Sequence, residues 1–359
     1  MDSQYMAALQ DGATLITANK RLSRALVHAY DTAQAAAGRQ AWPSPDILPL
    51  GAWLRRCYEE QVHRHGEPRL LLNDPQRRLV WERLIADDPA TAALLNSAGL
   101  ADTALAAWRL ARQWRAPLPA RGGTAEHRAL RAWAAAYQAR CATAQWLDPD
   151  ALPDELTAWL GAGAWTTPAR LLFAGFDEWT PQLADLRNAL RAAGCGLDDL
   201  ELPATPGQAV RAAFADAQAE REVAARWARA LLEARPEASV ALVVPQLTAQ
   251  RAELQRTLED VLSPGFALAP DDDPSPLFNI SEGLPLAAWP LAQAALAMLG
   301  LGLHPLPLER IAEVLLSPFL GGGETEADAR ALLDARLRRH GELHLSLGDL
   351  RRWAQGTPD

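Results

Sequence analysis

Ala13-Thr-Leu-Ile-Thr-Ala-Asn-Lys-Arg-Leu22 passes from a β-branched run into a helical spacing within a few residues, since Leu22, Leu26 and Tyr30 then recur on one helical face. A strand over Ala13–Ala18, a tight turn and a helix are expected. The theme returns at Arg170-Leu-Leu-Phe-Ala174, where Leu171–Ala174 reads as a strand, followed by the turn Gly175-Phe-Asp-Glu-Trp-Thr-Pro181 and a helix through Leu183, Leu186 and Leu190. It returns again at Ser239-Val-Ala-Leu-Val-Val244, a strong strand pattern between helical stretches over Ala219–Ala234 and Thr248–Leu262, with a weaker strand pattern at Arg211–Ala215. Strands alternating with helices imply crossover connections and a parallel sheet. The expected fold class is therefore α/β.

From about Asn73 to Thr157 the pattern is almost wholly helical, rich in Ala, Arg, Leu and Trp, with breaks at Asp88-Pro89, Pro117-Leu-Pro119 and Gly122-Gly123, and an all-helical insertion is expected there. The expected organisation is a first α/β domain from residues 1–66 and 165–205, a helical insertion over 67–164, the start of a second α/β domain over 206–280, and a helical part over 281–359. Asp271-Asp-Asp-Pro-Ser-Pro276 is the best hinge candidate. Gly283 to Leu308 carries no charge and is long enough to span a bilayer, but four prolines and two glycines interrupt it, so a buried core helix over about Leu291–Leu299 is expected instead. No membrane partner is called for.

The chain has 359 residues, 49% of them hydrophobic and 22% charged, which fits a folded protein of two or three domains. Cys57, Cys141 and Cys195 lie far apart, so neither a disulfide framework nor a zinc site is suggested, and no secretory signal opens the sequence. A cytoplasmic setting follows as the expectation.

Catalytic chemistry is hard to assemble. A phosphate-binding loop needs glycines, so that successive backbone N–H groups converge on phosphate, and a Lys followed by Ser or Thr. The turn Thr17–Leu22 has Lys20, the chain's only lysine, but no glycine, and Arg21 stands where the metal-binding hydroxyl belongs. Asp177-Glu178 follow the second strand two residues too late for magnesium and read as caps of the next helix. His340-Gly-Glu-Leu-His344 is not the H-E-x-x-H pattern, Asp271–Asp273 lacks the spacing of a calcium loop, and no G-x-S-x-G elbow occurs. No catalytic site, metal or cofactor is expected from these residues.

The net charge is −9, yet it is unevenly spread. Between Ala101 and Gln145, Arg109, Arg112, Arg115, Arg121, Arg128, Arg131 and Arg140 oppose only Asp102 and Glu126, an excess of five positive charges; Trp146–Thr205 has ten acids and three arginines, an excess of seven negative ones. Arginines beside Trp133 and Tyr137 could hold phosphates and stack bases. The competing reading makes the aromatics core and the arginines a solvated face.

Several segments, taken in order, resemble one family. Leu15-Ile-Thr-Ala-Asn-Lys-Arg-Leu-Ser-Arg24, Trp42-Pro-Ser-Pro-Asp-Ile-Leu-Pro49 with Trp53-Leu54, Gly175–Pro181, Phe278-Asn-Ile-Ser-Glu-Gly-Leu-Pro-Leu286 and Leu316-Ser-Pro-Phe-Leu320 look like the blocks of bacterial probable DNA repair proteins, relatives of the AddB and RexB subunits of helicase-nucleases. The resemblance implies a superfamily 1 helicase-like core of RecA-type sheet layers that has lost its ATPase motifs. In full-length members a C-terminal PD-(D/E)XK nuclease follows, with an iron-sulfur cluster in some relatives; its signature has no counterpart here, and 281–359 corresponds to a truncated helical insertion of the second core domain. Pro245 stands where active helicases commonly place a nucleotide-reaching arginine after the strand at Ser239–Val244. The implied role is a non-catalytic scaffold engaging single-stranded DNA or a duplex end, alongside a helicase-nuclease partner subunit, with Arg109, Arg112, Arg115, Arg128, Arg131, Lys20 and Arg21 as candidate DNA contacts. The alternative is a protein-docking module that never touches DNA.

Overall fold

Thr14–Thr17 (β1) is buried along its whole length, which two apolar layers bring about by covering the sheet on both sides. The structure, a computed structural model, describes residues 3–89, 91, 97–118, 123–201, 207–264, 277–323, 325–341 and 343–356. It divides into two compact units, Met1–Gly207 and Gln208–Asp359.

The first unit runs α1 (Ser3–Gln10), β1, α2 (Lys20–Ala36), β2 (Ile47–Pro49), α3 (Leu50–His65), β3 (Leu70–Leu71), α4 (Asp74–Ala86), α5 (Ser97–Gln113), α6 (Ala125–Ala144), β4 (Trp146–Leu147), a 3-10 turn at Pro149–Ala151, α7 (Leu152–Gly161), β5 (Arg170–Ala174), α8 (Pro181–Ala192) and β6 (Gly196–Leu200). It is mixed α/β, with a parallel sheet in the order β2-β1-β5-β6. Side chains alternate across it as a pleated strand requires. Ile16, Leu171 and Phe173 pack with Trp53, Leu54, Leu156, Leu186 and Leu190 of α3, α7 and α8, while Leu15, Leu172 and Ala174 pack with Leu9, Leu26 and Tyr30 of α1 and α2. The expected strands at 13–18 and 171–174 are thus present. β6 escaped the sequence reading because Asp198 and Asp199 break the apolar pattern of this edge strand.

α4, α5 and α6 gather a second core from Val80, Trp81, Ile85, Ala101, Ala104, Trp108, Trp133, Ala134 and Tyr137. Capping boxes of Asn73 with Gln76 and Thr124 with His127 start α4 and α6. The expectation of wholly helical structure from Asn73 to Thr157 is corrected at one point: β4 pairs in parallel with β3. The chain enters and leaves the helical segment side by side there, so Leu70 donates to the Gln145 carbonyl at 2.8 Å and Leu72 to that of Leu147 at 3.0 Å. Residues 148–161, assigned to the insertion from sequence, pack instead on the sheet, with Leu152 and Leu156 in its core.

In the second unit α9 (Ala217–Ala234) and α10 (Leu247–Leu262) pack together through Ala225, Leu254 and Leu258. The strands expected at Ser239–Val244 and Arg211–Ala215 are absent: both stretches find no ladder partner among the described residues, and Val243 is 91% exposed. A strand exists only when a neighbour lies about 4.8 Å away, so an apolar β-branched run by itself was an insufficient signal. The hinge candidate Asp271–Pro276 lies outside the described residues. After a 3-10 turn at Leu286–Ala288 come α11 (Pro290–Leu303), β7 (Leu306–Pro307), α12 (Leu308–Leu315), α13 (Ala327–His340), β8 (His344–Leu345) and α14 (Leu347–Ala354), β7 and β8 being antiparallel. α11 is not the buried core helix expected over Leu291–Leu299, because Leu291, Leu296 and Leu299 are exposed and, of the whole helix, Ala294 and Leu301 alone are buried. Apolar composition showed which residues could be covered, not that they are. Among the described residues no helix is long and apolar enough to cross a membrane.

The turn after β5 depends on Gly175, whose φ is +74° and whose hydrogen faces Leu22: an added Cβ would lie 2.5 Å from the Leu22 Cδ2 methyl. Gly12 has a similar φ of +87° but open space around it. Gly175→Ala is expected to destabilise by about 2–4 kcal/mol, against about 1–2 kcal/mol for Gly12→Ala, the difference being the displaced leucine. Urea unfolding of the two variants checks this, and equal losses would contradict the packing account.

Candidate nucleic-acid interface

From β1 the chain moves to β2 on one side and later to β5 on the other, so the C-terminal ends of β1 and β5 mark a reversal of strand order. That is where an open parallel sheet ordinarily receives a ligand. Here the protein fills the place itself. Ala18 donates to the Ala174 carbonyl at 3.1 Å, and the Asn19 side-chain oxygen caps α2 by accepting from the amides of Arg21 at 3.0 Å and Leu22 at 2.9 Å. Those first-turn amides are the donors with which a phosphate loop would bind its anion. Leu22 then packs over Gly175. Lys20 and Arg21 are exposed on the first turn of α2.

Across the crevice, Asp177 and Glu178 are exposed and do not cap α8 as expected; Thr180 is the N-cap and its hydroxyl accepts from Leu183 N at 3.4 Å. A cap must directly precede the first helical turn, and Pro181 fixes that turn one residue after Thr180. The intervening aromatics form a clamp: Phe176 and Trp179 stack at 4.7 Å, Phe173 meets both edge-on, and the Arg187 guanidinium lies 3.8 Å over Trp179 while donating to Asp199 at 2.8 Å.

Three arginines of the helical segment are held by carboxylates. Arg109 Nε bonds Asp150 at 3.2 Å, Arg112 Nη2 bonds Asp154 at 2.6 Å, and Arg115 Nη2 reaches Asp154 at 2.7 Å and Asp185 at 2.9 Å. These three candidate DNA contacts are thus paired with carboxylates of the acidic stretch that follows them. Part of the positive excess is thereby answered by its neighbour in sequence. Arg128 donates to the Gly123 carbonyl at 2.9 Å, and Arg131 makes no ion pair among the described residues. Arg121 lies outside the described residues. Trp133 is core, not a stacking platform: it is 7% exposed and its Nε1 donates to Asp88 at 2.8 Å. Tyr137 is buried against Trp81.

Sequence reasoning missed the residues that organise this surface: Arg77, wholly buried, which binds Asp150 at 2.6 Å, Asp74 at 3.0 Å and Asp148 at 3.3 Å, and the acids Asp148, Asp150 and Asp154. The signal was present in the abrupt change from basic to acidic at Trp146. Burial works to raise the Asp154 carboxyl, but hydrogen bonds from Arg115, Gln182 and Arg112 outweigh it and hold it below the usual carboxylate range. Arg112 and Arg115 also meet Arg131 around a cavity of about 430 Å³ beside Trp108; an adjoining cavity of about 340 Å³ shares Trp108, Arg112 and Gln138.

No protein-family model matches the chain, and no curated protein matches it.

The Asp154 geometry predicts an acid-sensitive seam. A carboxyl whose folded value lies below its unfolded value of about 3.9 adds stability that is present above that pH and is lost as pH falls through the folded value. Asp154→Asn is expected to lower neutral-pH stability and to flatten the loss of stability below about pH 4. Denaturant melts between about pH 2.5 and 7 measure both effects, and an unchanged acid limb would refute the role given to Asp154.

Proposed function

We propose that this chain is a non-catalytic, helicase-like scaffold region of a cytoplasmic recombinational DNA repair protein, in which β2, β1, β5 and β6 are a RecA-type layer that no longer handles nucleotide. The observation that carries the reading is the Asn19 cap: a strand-turn-helix stands at the switch of strand order, where a phosphate loop would open a nucleotide domain, and its amides are already bonded to a side chain of the protein. The resemblance to the AddB and RexB relatives supports the same reading. DNA phosphates would be met by Arg128 and Arg131, the members of the candidate arginine set that pair with no carboxylate among the described residues, with Lys20 and Arg21 as further cations. A helicase-nuclease partner subunit fits this role.

The pairing of Arg109, Arg112 and Arg115 with Asp150, Asp154 and Asp185 favours a second reading, a docking module for a partner protein that leaves DNA alone. Titration of single-stranded and duplex-end DNA at several salt concentrations separates the two. Phosphate contacts release counterions, so binding through this surface weakens linearly in log salt, and Arg128→Ala with Arg131→Ala should reduce the slope by about two. Mg-ATP should leave each titration unchanged. Binding that ignores salt, or a double variant with an unaltered slope, would overturn the DNA reading; ATP-dependent binding would overturn the loss of nucleotide handling.

A further inference from the structure

Ala111 on α5 and Ala134 and Ala135 on α6 leave room for the 430 Å³ cavity, which is within the size range of small-molecule sites. Trp108, Ala116 and Leu118 add to its apolar lining, and Arg112, Arg115, Arg131 and Gln138 supply its polar groups. The charges around it do not cancel. Arg112 and Arg115 share Asp154, and Arg115 also reaches Asp185, whereas Arg131 has no carboxylate partner among the described residues. The Nε–H groups of Arg131 and Arg112 are shut off from solvent and have no acceptor among the described residues. A buried guanidinium N–H without an acceptor is costly, and Arg131 differs from Arg77, Arg109 and Arg187 in that each of those pairs with a carboxylate.

We propose that this cavity is an oxyanion site that takes one phosphate group, held by the Arg131 fork with Gln138 and Arg115 beside it, while the alanine and Leu118 lining receives the less polar part of the ligand. A guanidinium fork matches two oxygens of one phosphate, and the open cavity leaves room beside it for the rest of the ligand. The phosphate belongs either to a small organic molecule or to the terminal phosphate of a nucleic-acid strand. The site does not depend on the scaffold reading, since a chain that never engages DNA could hold it.

Inorganic phosphate titrated into the full chain at constant ionic strength, with chloride as the control, tests this by calorimetry and by the change in Tm. Saturable heat and a Tm that rises with phosphate but not with chloride are expected. Arg131→Gln should weaken binding by about tenfold or more, Gln138→Ala by less, and Arg131→Lys by an intermediate factor, because lysine keeps the charge but loses the fork. Arg140→Gln, on the exposed surface of α6, should bind as the parent does. Arg131 and Gln138 are not core residues, and the Tm of each variant without phosphate verifies its fold. Absence of saturable heat, or binding by folded Arg131→Gln equal to the parent, would overturn the site. Displacement of phosphate by a 5′-phosphorylated oligonucleotide but not by its unphosphorylated form identifies a strand end as the source. Displacement by neither identifies a small phosphate, and equal displacement by both contradicts a site for a single terminal group.

Discussion

One buried guanidinium constrains the first unit more than any other group. Arg77 on α4 lies wholly out of solvent with Asp150, Asp148 and Asp74 around it, and Asp148 in turn accepts from Trp108 Nε1 at 3.0 Å. Burial opposes the Arg77 cation, but the three carboxylates outweigh it and raise its pKa. An isolated charge there would cost several kcal/mol, so the native packing requires α4, α5 and the Asp148–Asp150 turn to meet in one geometry. That turn leads directly into α7, which packs on the sheet beside α3 and α8. The helical segment and the sheet are joined by this network and by the paired strands β3 and β4.

The same network shapes what the surface can do. Each arginine turned toward Asp150, Asp154 or Asp185 is removed from the set that could meet an external anion, so a strongly basic stretch of sequence becomes a modestly basic surface. Arg131, beside a cavity, makes no ion pair among the described residues. At the sheet the logic is similar, with Asn19 and Leu22 occupying the place of a ligand. At the sheet end and on the helical segment alike, the chain's own side chains thus take up polar groups that could meet an anion, and an opening lies between α5 and α6.

Much of the first unit was legible because its signals are local. β1 and β5 are short apolar runs ended by a turn, and the helices keep their 3.6-residue spacing. What was not legible depends on partners distant in sequence. Ser239–Val244 has the composition of a buried strand but no neighbour to pair with among the described residues, and α11 has the composition of a core helix but leaves Leu291, Leu296 and Leu299 exposed. β6 is hidden by its two aspartates, one of which serves Arg187. The arginine site was read residue by residue, as a face opposed to solvent. Its pairing with Asp150 and Asp154 is a contact across about 40 residues, visible in sequence only as two oppositely charged stretches laid end to end.

The account stands on that pairing being energetic and not incidental, and a double-mutant cycle on Arg77 and Asp150 measures it most directly. Arg77→Gln, Asp150→Asn and the double variant are compared with the parent by urea unfolding at neutral pH. The account predicts a coupling energy of about 1–3 kcal/mol, each single change leaving a charge stranded and the double change restoring part of the loss. Simple additivity of the two single losses would contradict it.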